Sequence, residues 1–204
     1  MFALVDKSNN SITRLLKGNK AITLGDIQYP RAIYTLWSEA ERNAINIYTI
    51  TIDDSEIKNE KWYINTDITY SFDGTNATGS YDTATAKAHA DANATDDDGV
   101  DLDPVVVIEG LKTKLIRTVK VQAAGELAKT DWYITRNAEK STAIPSAITT
   151  HRDLVRSRQA AMETSITNAS NTPALETLYT YVNTADEGDP EVYERPLAEI
   201  PTLD

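Results

Sequence analysis

The sequence predicts an α+β protein, with a β-rich N-terminal half of antiparallel strands followed by a C-terminal three-helix module. Residues 62–72 alternate apolar and polar side chains with period 2, the signature of a strand with one buried and one wet face. From Val105 onward the apolar residues step by three or four, the period of a helix. No strand–helix–strand alternation recurs, which argues against a doubly wound nucleotide fold.

In chain order, Met1–Val5 and Ile12–Leu16 read as short strands, joined by the turn formers of Asp6–Asn10 into a hairpin. Ala21–Leu24 adds a third strand, and Tyr29-Pro30 a change of direction. Ser38 with Glu41 matches a capping box, so a short helix is expected from Ser38 to about Asn43. Asn46–Ile52 has the Ile, Tyr and Thr content of a strand. Next comes the expected spine of this half, with Trp62, Ile64, Thr66, Ile68, Tyr70 and Phe72 on one face. Asp73-Gly74 marks a turn, and Ala77–Ala86 returns as a weaker partner strand.

Residues 1–87 are thus read as the β-rich domain. Residues 88–104, rich in Ala, Asp, Asn and Thr, read as an acidic, flexible insert or linker that deletion should spare. Residues 105–184 form the helical module. Its first helix carries Ile108, Leu111, Leu115, Val119, Ala123 and Leu127 and runs to Ala138 at most, with Gly125 a weak point. The second starts near Ser146 after Pro145, with Ile148, Val155, Met162 and Ile166 on its apolar side. The third is capped by Thr172, with Pro173 at its first position and Leu175, Leu178 and Val182 as its stripe. Residues 185–204 are a Pro-containing, extended tail.

Composition narrows the function classes. The chain has 204 residues, 41% of them apolar and 25% charged, with a formal net charge of −11. That balance speaks against nucleic acid and anionic membrane as partners, because phosphate binding needs clustered cations. There are no cysteines, so disulfides, thiolate metal sites and cysteine nucleophiles are excluded. With two Phe and two Met, the ten Tyr and three Trp must supply bulk, and their polar tips favour half-buried faces and interfaces. No apolar run reaches the ~18–20 residues of a membrane span. Met1–Ser11 lacks the charged start and apolar middle of a secretion signal.

Motifs for chemistry are sparse. An EF-hand register with Gly99 at its sixth position puts Ala94 and Val105 where oxygen ligands are required, leaving only a looser calcium site open at Asp96–Asp103. His89 and His151 lie in different halves, and no nucleophile elbow or phosphate loop is present. No catalytic, cofactor-binding or metal-ligating residue is therefore assigned, no cofactor is expected, and the chain is read as not an enzyme. Four residues stand out instead as candidates for packing or interface: Trp37, Trp132, Arg152 and Arg156. Trp132 is expected to be buried against the second helix, near Val155 or Met162, with a partner-binding anchor as the alternative. Arg152, Arg156 and Arg158 either clamp an anion or form salt bridges on an acidic surface, the second being favoured.

Leu115-Ile116-Arg117 through Leu127, then Asp131-Trp132, Pro145, Arg152 and Arg156, resemble the C-terminal module of tailed-bacteriophage tail assembly proteins. His151 stands where that family has an aromatic. Leu24-Gly25-Asp26-Ile27-Gln28-Tyr29-Pro30 through Trp37-Ser38, Ile47-Tyr48 and the Arg195-Pro196-Leu197 stretch are similar to small virion or tail proteins of marine and cyanobacterial phages. The resemblance implies a non-enzymatic virion component of the tail, at the fibre or baseplate, with other phage tail proteins and further copies of itself as partners. A tail-fibre assembly chaperone not retained in the virion is the alternative, and a carboxylate-dependent cell-wall hydrolase a third. The implied location is the virion tail, or the host cytoplasm during assembly.

Overall fold

In the computed structural model, residues 1–203 are described. The chain is mixed α and β, β-rich in its N-terminal half and helical in its C-terminal half, and divides into two compact units, Met1–Thr85 and the residues from Ala86 onward.

The first unit is built on a five-stranded sheet. β1 (Phe2–Asp6) and β2 (Ser11–Leu16) form the expected antiparallel hairpin. The Asp6 carboxylate accepts from the Ser8 amide at 2.9 Å and closes the turn. β3 (Ile22–Leu24) pairs with β4 (Ile27–Tyr29). A short α1 (Ile33–Leu36) precedes α2 (Glu39–Ala44), whose capping box is present: the Ser38 hydroxyl accepts from the Glu41 amide while the Glu41 carboxylate accepts from the Ser38 amide. β5 (Ile47–Asp53) is central, antiparallel to β1 and parallel to β8 (Ala77–Ser80), which pairs in turn with β7 (Thr69–Phe72). Strand alternation gives two apolar clusters. Ala3, Val5, Tyr48, Ile50, Phe72 and Ala77 gather in one. Ile47 joins Leu16, Ile22, Ile33 and Tyr34 in the other, with Phe2 and Leu4 packed against it.

The expected long strand over 62–72 is two pieces, β6 (Tyr63–Ile64) and β7. Trp62 and Tyr63 are both buried, which no period-2 strand allows, and Ile64 is 58% exposed. Local bonding explains the break. The Trp62 and Tyr63 amides both donate to the Asn59 carbonyl. The Asn65 side chain bonds both backbone groups of Lys58 at 2.9 Å. These bonds take the place of ladder bonds. Alternation survives from Thr66 to Phe72. The second unit begins at Ala86, the second residue of β9 (Thr85–Ala86).

Residues 88–104, read as a linker, fold inside that second unit. β10 (Ala92–Asn93) pairs antiparallel with β11 (Val107–Ile108), and the arm closes through a Thr95–Asp101 bridge. Residues 105–110, expected as helix, lie outside it, and Ile108 is on the arm. α3 begins at Leu111 and ends at Ala128. The chain then bends and α4 (Asp131–Lys140) follows, so the expected first helix is two helices. α5 (Ser146–Asn168) buries Ile148, Val155, Met162 and Ile166 as its spacing predicts, opposite Leu115, Val119 and Ala123 of α3. α6 (Thr172–Tyr179) is capped by Asn171, not Thr172: the Asn171 side chain accepts from the Ala174 amide at 2.9 Å. Val182 falls past its end, exposed, in β12 (Val182–Asn183), which pairs with β13 (Tyr193–Glu194). The tail buries Leu197, whose amide donates to the Leu178 carbonyl at 2.9 Å.

Candidate functional site

The bend between α3 and α4 brings together most of the buried polar groups of the second unit. Thr130 has φ −117° and ψ 4°, off the helical region, and its side chain is buried. Arg152 reaches this point from the middle of α5. Its Nη1 donates to the Leu127 carbonyl at 2.8 Å, to Thr130 Oγ1 at 2.7 Å and to Asp131 Oδ1 at 2.8 Å. One guanidinium thus adds a charged donor to a helix-end carbonyl that also accepts the Thr130 amide at 3.1 Å and the Thr130 hydroxyl at 3.0 Å, and holds the first residue of the next helix. The Arg152 Nε is buried without a partner. This is a structural clamp: the Nη1 donors are used inside the chain.

One residue earlier on α5, His151 Nε2 lies 3.2 Å from Glu126 Oε1 of α3, close enough for an ion pair but off the hydrogen-bonding direction. Glu126 is buried, and its second oxygen meets Lys129 Nζ at 2.5 Å. Its first oxygen also accepts the Leu203 amide at 2.7 Å, tying the tail to α3. The hydrogen bond from Lys129 does most to hold the Glu126 carboxyl below its ordinary range, against the opposing effect of burial, and the Leu203 amide adds to it.

The clamp sets the direction of α4, which contributes no buried residue. Trp132, expected in the core, is 52% exposed. The reason is the bend, which carries it away from α5. It stacks on Tyr133 with ring centroids 3.8 Å apart, and the Arg136 guanidinium lies 5.9 Å from its ring. Ile134 is exposed beside them. Arg156 stays on the surface, paired with Asp153 at 3.2 Å. Trp37 belongs to the first unit, half-buried and edge-on to Tyr29 at 5.8 Å, with its carbonyl accepting from Arg42. So Arg152 and Trp132 share a site, while Arg156 and Trp37 do other work.

Sequence reasoning missed Glu126 and Thr130. It also missed Asp91, which accepts from the Gly110 amide at 2.7 Å and the Thr113 hydroxyl at 2.8 Å and so caps α3 from outside the helix. The Gly110 amide bond does most to hold the Asp91 carboxyl low. Its sequence signal was Gly110 standing just before a periodic run.

An open groove of about 570 Å³ on the first unit is lined by Arg14, Lys17, Lys20 and Tyr34 among others. Among the described residues, no group of three or more His, Cys, Asp or Glu is arranged to hold a metal ion, and no helix is long and apolar enough to cross a membrane. No protein-family model, no curated protein and no solved structure matches the chain.

Proposed function

We propose that this chain is a non-enzymatic structural component of a phage tail, in the fibre or baseplate region, working by protein–protein contact. The observation that supports this reading is the α4 surface. Trp132, Tyr133 and Ile134 are presented on a helix with no buried residue, in the stretch whose Asp131-Trp132 pair carries the resemblance to tail assembly proteins. An exposed Trp and a half-buried Tyr beside an arginine are the residue types that dominate binding energy at interfaces. The helical half acts here as a three-helix module, α3 and α4 forming one bent unit held by Arg152. Its partners are other tail proteins and further copies of the chain.

Mass spectrometry of gradient-purified virions tests this. A fixed ratio to the tail proteins is expected. Absence from particles with abundance in the lysate would favour a fibre-assembly chaperone, which the likeness of the helical module also supports. Trp132→Ala is expected to change stability by no more than about 0.5 kcal/mol, as for an exposed site, and to weaken capture of tail proteins at least about tenfold, as for an anchor residue. Unchanged capture would remove α4 from the interface.

A further inference from the structure

We infer that the groove lined by Arg14, Lys17 and Lys20 on the first unit is a binding site for a small, phosphate-bearing ligand. It lies apart from the α4 surface and gives the first unit a ligand of its own.

The first observation is charge. Residues 7–25 carry Lys7, Arg14, Lys17 and Lys20 and no Asp or Glu, in a chain with a formal net charge of −11. Lys7 lies over the Tyr48 ring, 5.3 Å from its centroid. The other three line one open groove of about 570 Å³, within the ~300–1,000 Å³ of small-molecule sites. Among the described residues, none of these three side chains makes an ion pair or a hydrogen bond. Like charges gathered in one place repel, so the groove is charged to receive an anion.

The second is construction. Donors reach the groove from three elements: Arg14 from β2, Lys17 and Lys20 from the loop before β3, and Tyr34 from α1. The loop is pressed onto the Phe2 and Tyr34 rings, whose centroids are 5.0 Å apart. Gly18 has φ +71°, and a Cβ there would come within 2.9 Å of Phe2 Cε2 and 3.5 Å of Tyr34 Cγ. Glycine is needed both for the backbone angle and for the close approach. The two lysines therefore stand on an anchored base. Tyr34 is buried, and its hydroxyl has no hydrogen-bond partner among the described residues. Burial pushes its phenol up, against the opposing effect of Arg14, so it keeps its proton and can donate.

The third is the shape of the donor set, which selects the ligand. A phosphate group carries about −1.5 to −2 charges and three acceptor oxygens pointing in different directions. Donors on three walls match that arrangement, whereas a planar carboxylate presents two oxygens in one plane. An extended polyanion fits less well. Outside residues 7–25, carboxylates outnumber cations in the first unit by more than two to one. Screening over about 8 Å lets a compact ligand feel chiefly the groove, while a long one would run onto the acidic surroundings.

The test is calorimetric titration of the full chain with pyrophosphate at about 50 and 300 mM salt, between which the Debye length falls by more than half. One site per chain with a Kd below about 1 mM is expected, weakening with salt. Lys17→Glu and Lys20→Glu are each expected to weaken it at least about tenfold, since each sets a negative charge beside the anion. Arg14→Lys keeps the charge but loses the fork, and is expected to weaken it several-fold. Lys140→Glu makes the same charge change on the other unit and is expected to leave it within about twofold. All four positions are exposed, and circular dichroism checks that each variant folds. Should a glutamate variant misfold, Arg14→Lys against Lys140→Glu decides. Glucose 6-phosphate is expected to bind at the same site, and citrate at least about tenfold more weakly than pyrophosphate. No binding of pyrophosphate overturns the inference. So does a loss no greater in the groove variants than in Lys140→Glu, or citrate binding as tightly. A single-stranded oligonucleotide of about 20 nucleotides that binds more tightly than pyrophosphate, and is lost with the same variants, would make the groove part of a nucleic-acid track and overturns it too.

Discussion

Arg152 shows how one side chain decides the course of the helical unit. A helix ending at Ala128 leaves carbonyls without intrahelical partners, and a buried unpaired carbonyl is costly. At Leu127 the Thr130 amide and hydroxyl already donate to the carbonyl, and Arg152 adds a charged donor there while anchoring Thr130 and Asp131 with the same nitrogen. Lysine carries the charge without the rigid fork. Arg152→Lys is expected to lower the stability of this unit by about 1–2 kcal/mol, and Arg152→Ala by about 2–4 kcal/mol, since charged hydrogen bonds are lost and buried groups left open. Thermal unfolding of both variants checks this. Equal, negligible losses would mean that the α3–α4 bend is held by something else. Asp91 makes the same point from the other end of α3, capping it from a position 19 residues before Gly110.

At the level of elements, the legible parts of the sequence are those whose causes are local. The Ser38–Glu41 capping box, the first hairpin and the apolar stripe of α5 all depend on residues a few positions apart, and all are where the spacing puts them. The misread parts have distant causes. Lys129-Thr130 contains neither Pro nor Gly, so nothing nearby announces the bend; its donor comes from 25 residues on from Leu127. A continuous helix would carry Trp132 to the core; the bend puts it on the surface instead. The 62–72 strand was misread because Asn59 and Asn65 divert its first half into local bonds.

That break makes opposite forecasts for two isoleucines of one apparent face. Ile64→Asp is expected to be tolerated within about 0.5 kcal/mol, being exposed. Ile68→Asp is expected to destabilise the first unit by at least about 2 kcal/mol, since Ile68 is half-buried and a Cβ built on Gly79 would come within 2.9 Å of its Cδ1. Chemical denaturation of the two variants checks the pair; equal sensitivity would restore the continuous strand. Gly110 offers a third forecast. A Cβ there would sit 2.3 Å from the Ala90 carbonyl oxygen, and backbone cannot rotate aside as a side chain can. Gly110→Ala is expected to cost about 1–3 kcal/mol by overpacking and to loosen the base of the arm, read as faster amide exchange over 90–95.

For the molecule as a whole, the C-terminal tail is the piece that turns local chemistry into long-range order. It crosses the second unit with Leu197 buried and Leu203 bonded to Glu126. Glu126 is faced by Lys129 and His151, and its carboxyl is held below its ordinary value of 4.5, chiefly by Lys129. The sign follows from linkage. A carboxyl whose folded pKa is depressed contributes stability above its unfolded pKa and loses it as pH falls through the folded value. The tail is therefore expected to be fastened at neutral pH and to loosen below about pH 4.5. The protection of the Leu203 amide, its exchange rate taken relative to the intrinsic rate at each pH, should fall several-fold there, as a charge-assisted bond becomes a neutral one. Other carboxylates also protonate in that range, so the informative comparison is Glu126→Gln. This variant is expected to exchange fast already at pH 7 and to show no further step tied to the tail. A wild-type profile that overlays the variant's across the whole range would mean that Glu126 does not hold the tail, leaving Leu197 as its one buried anchor among the described residues.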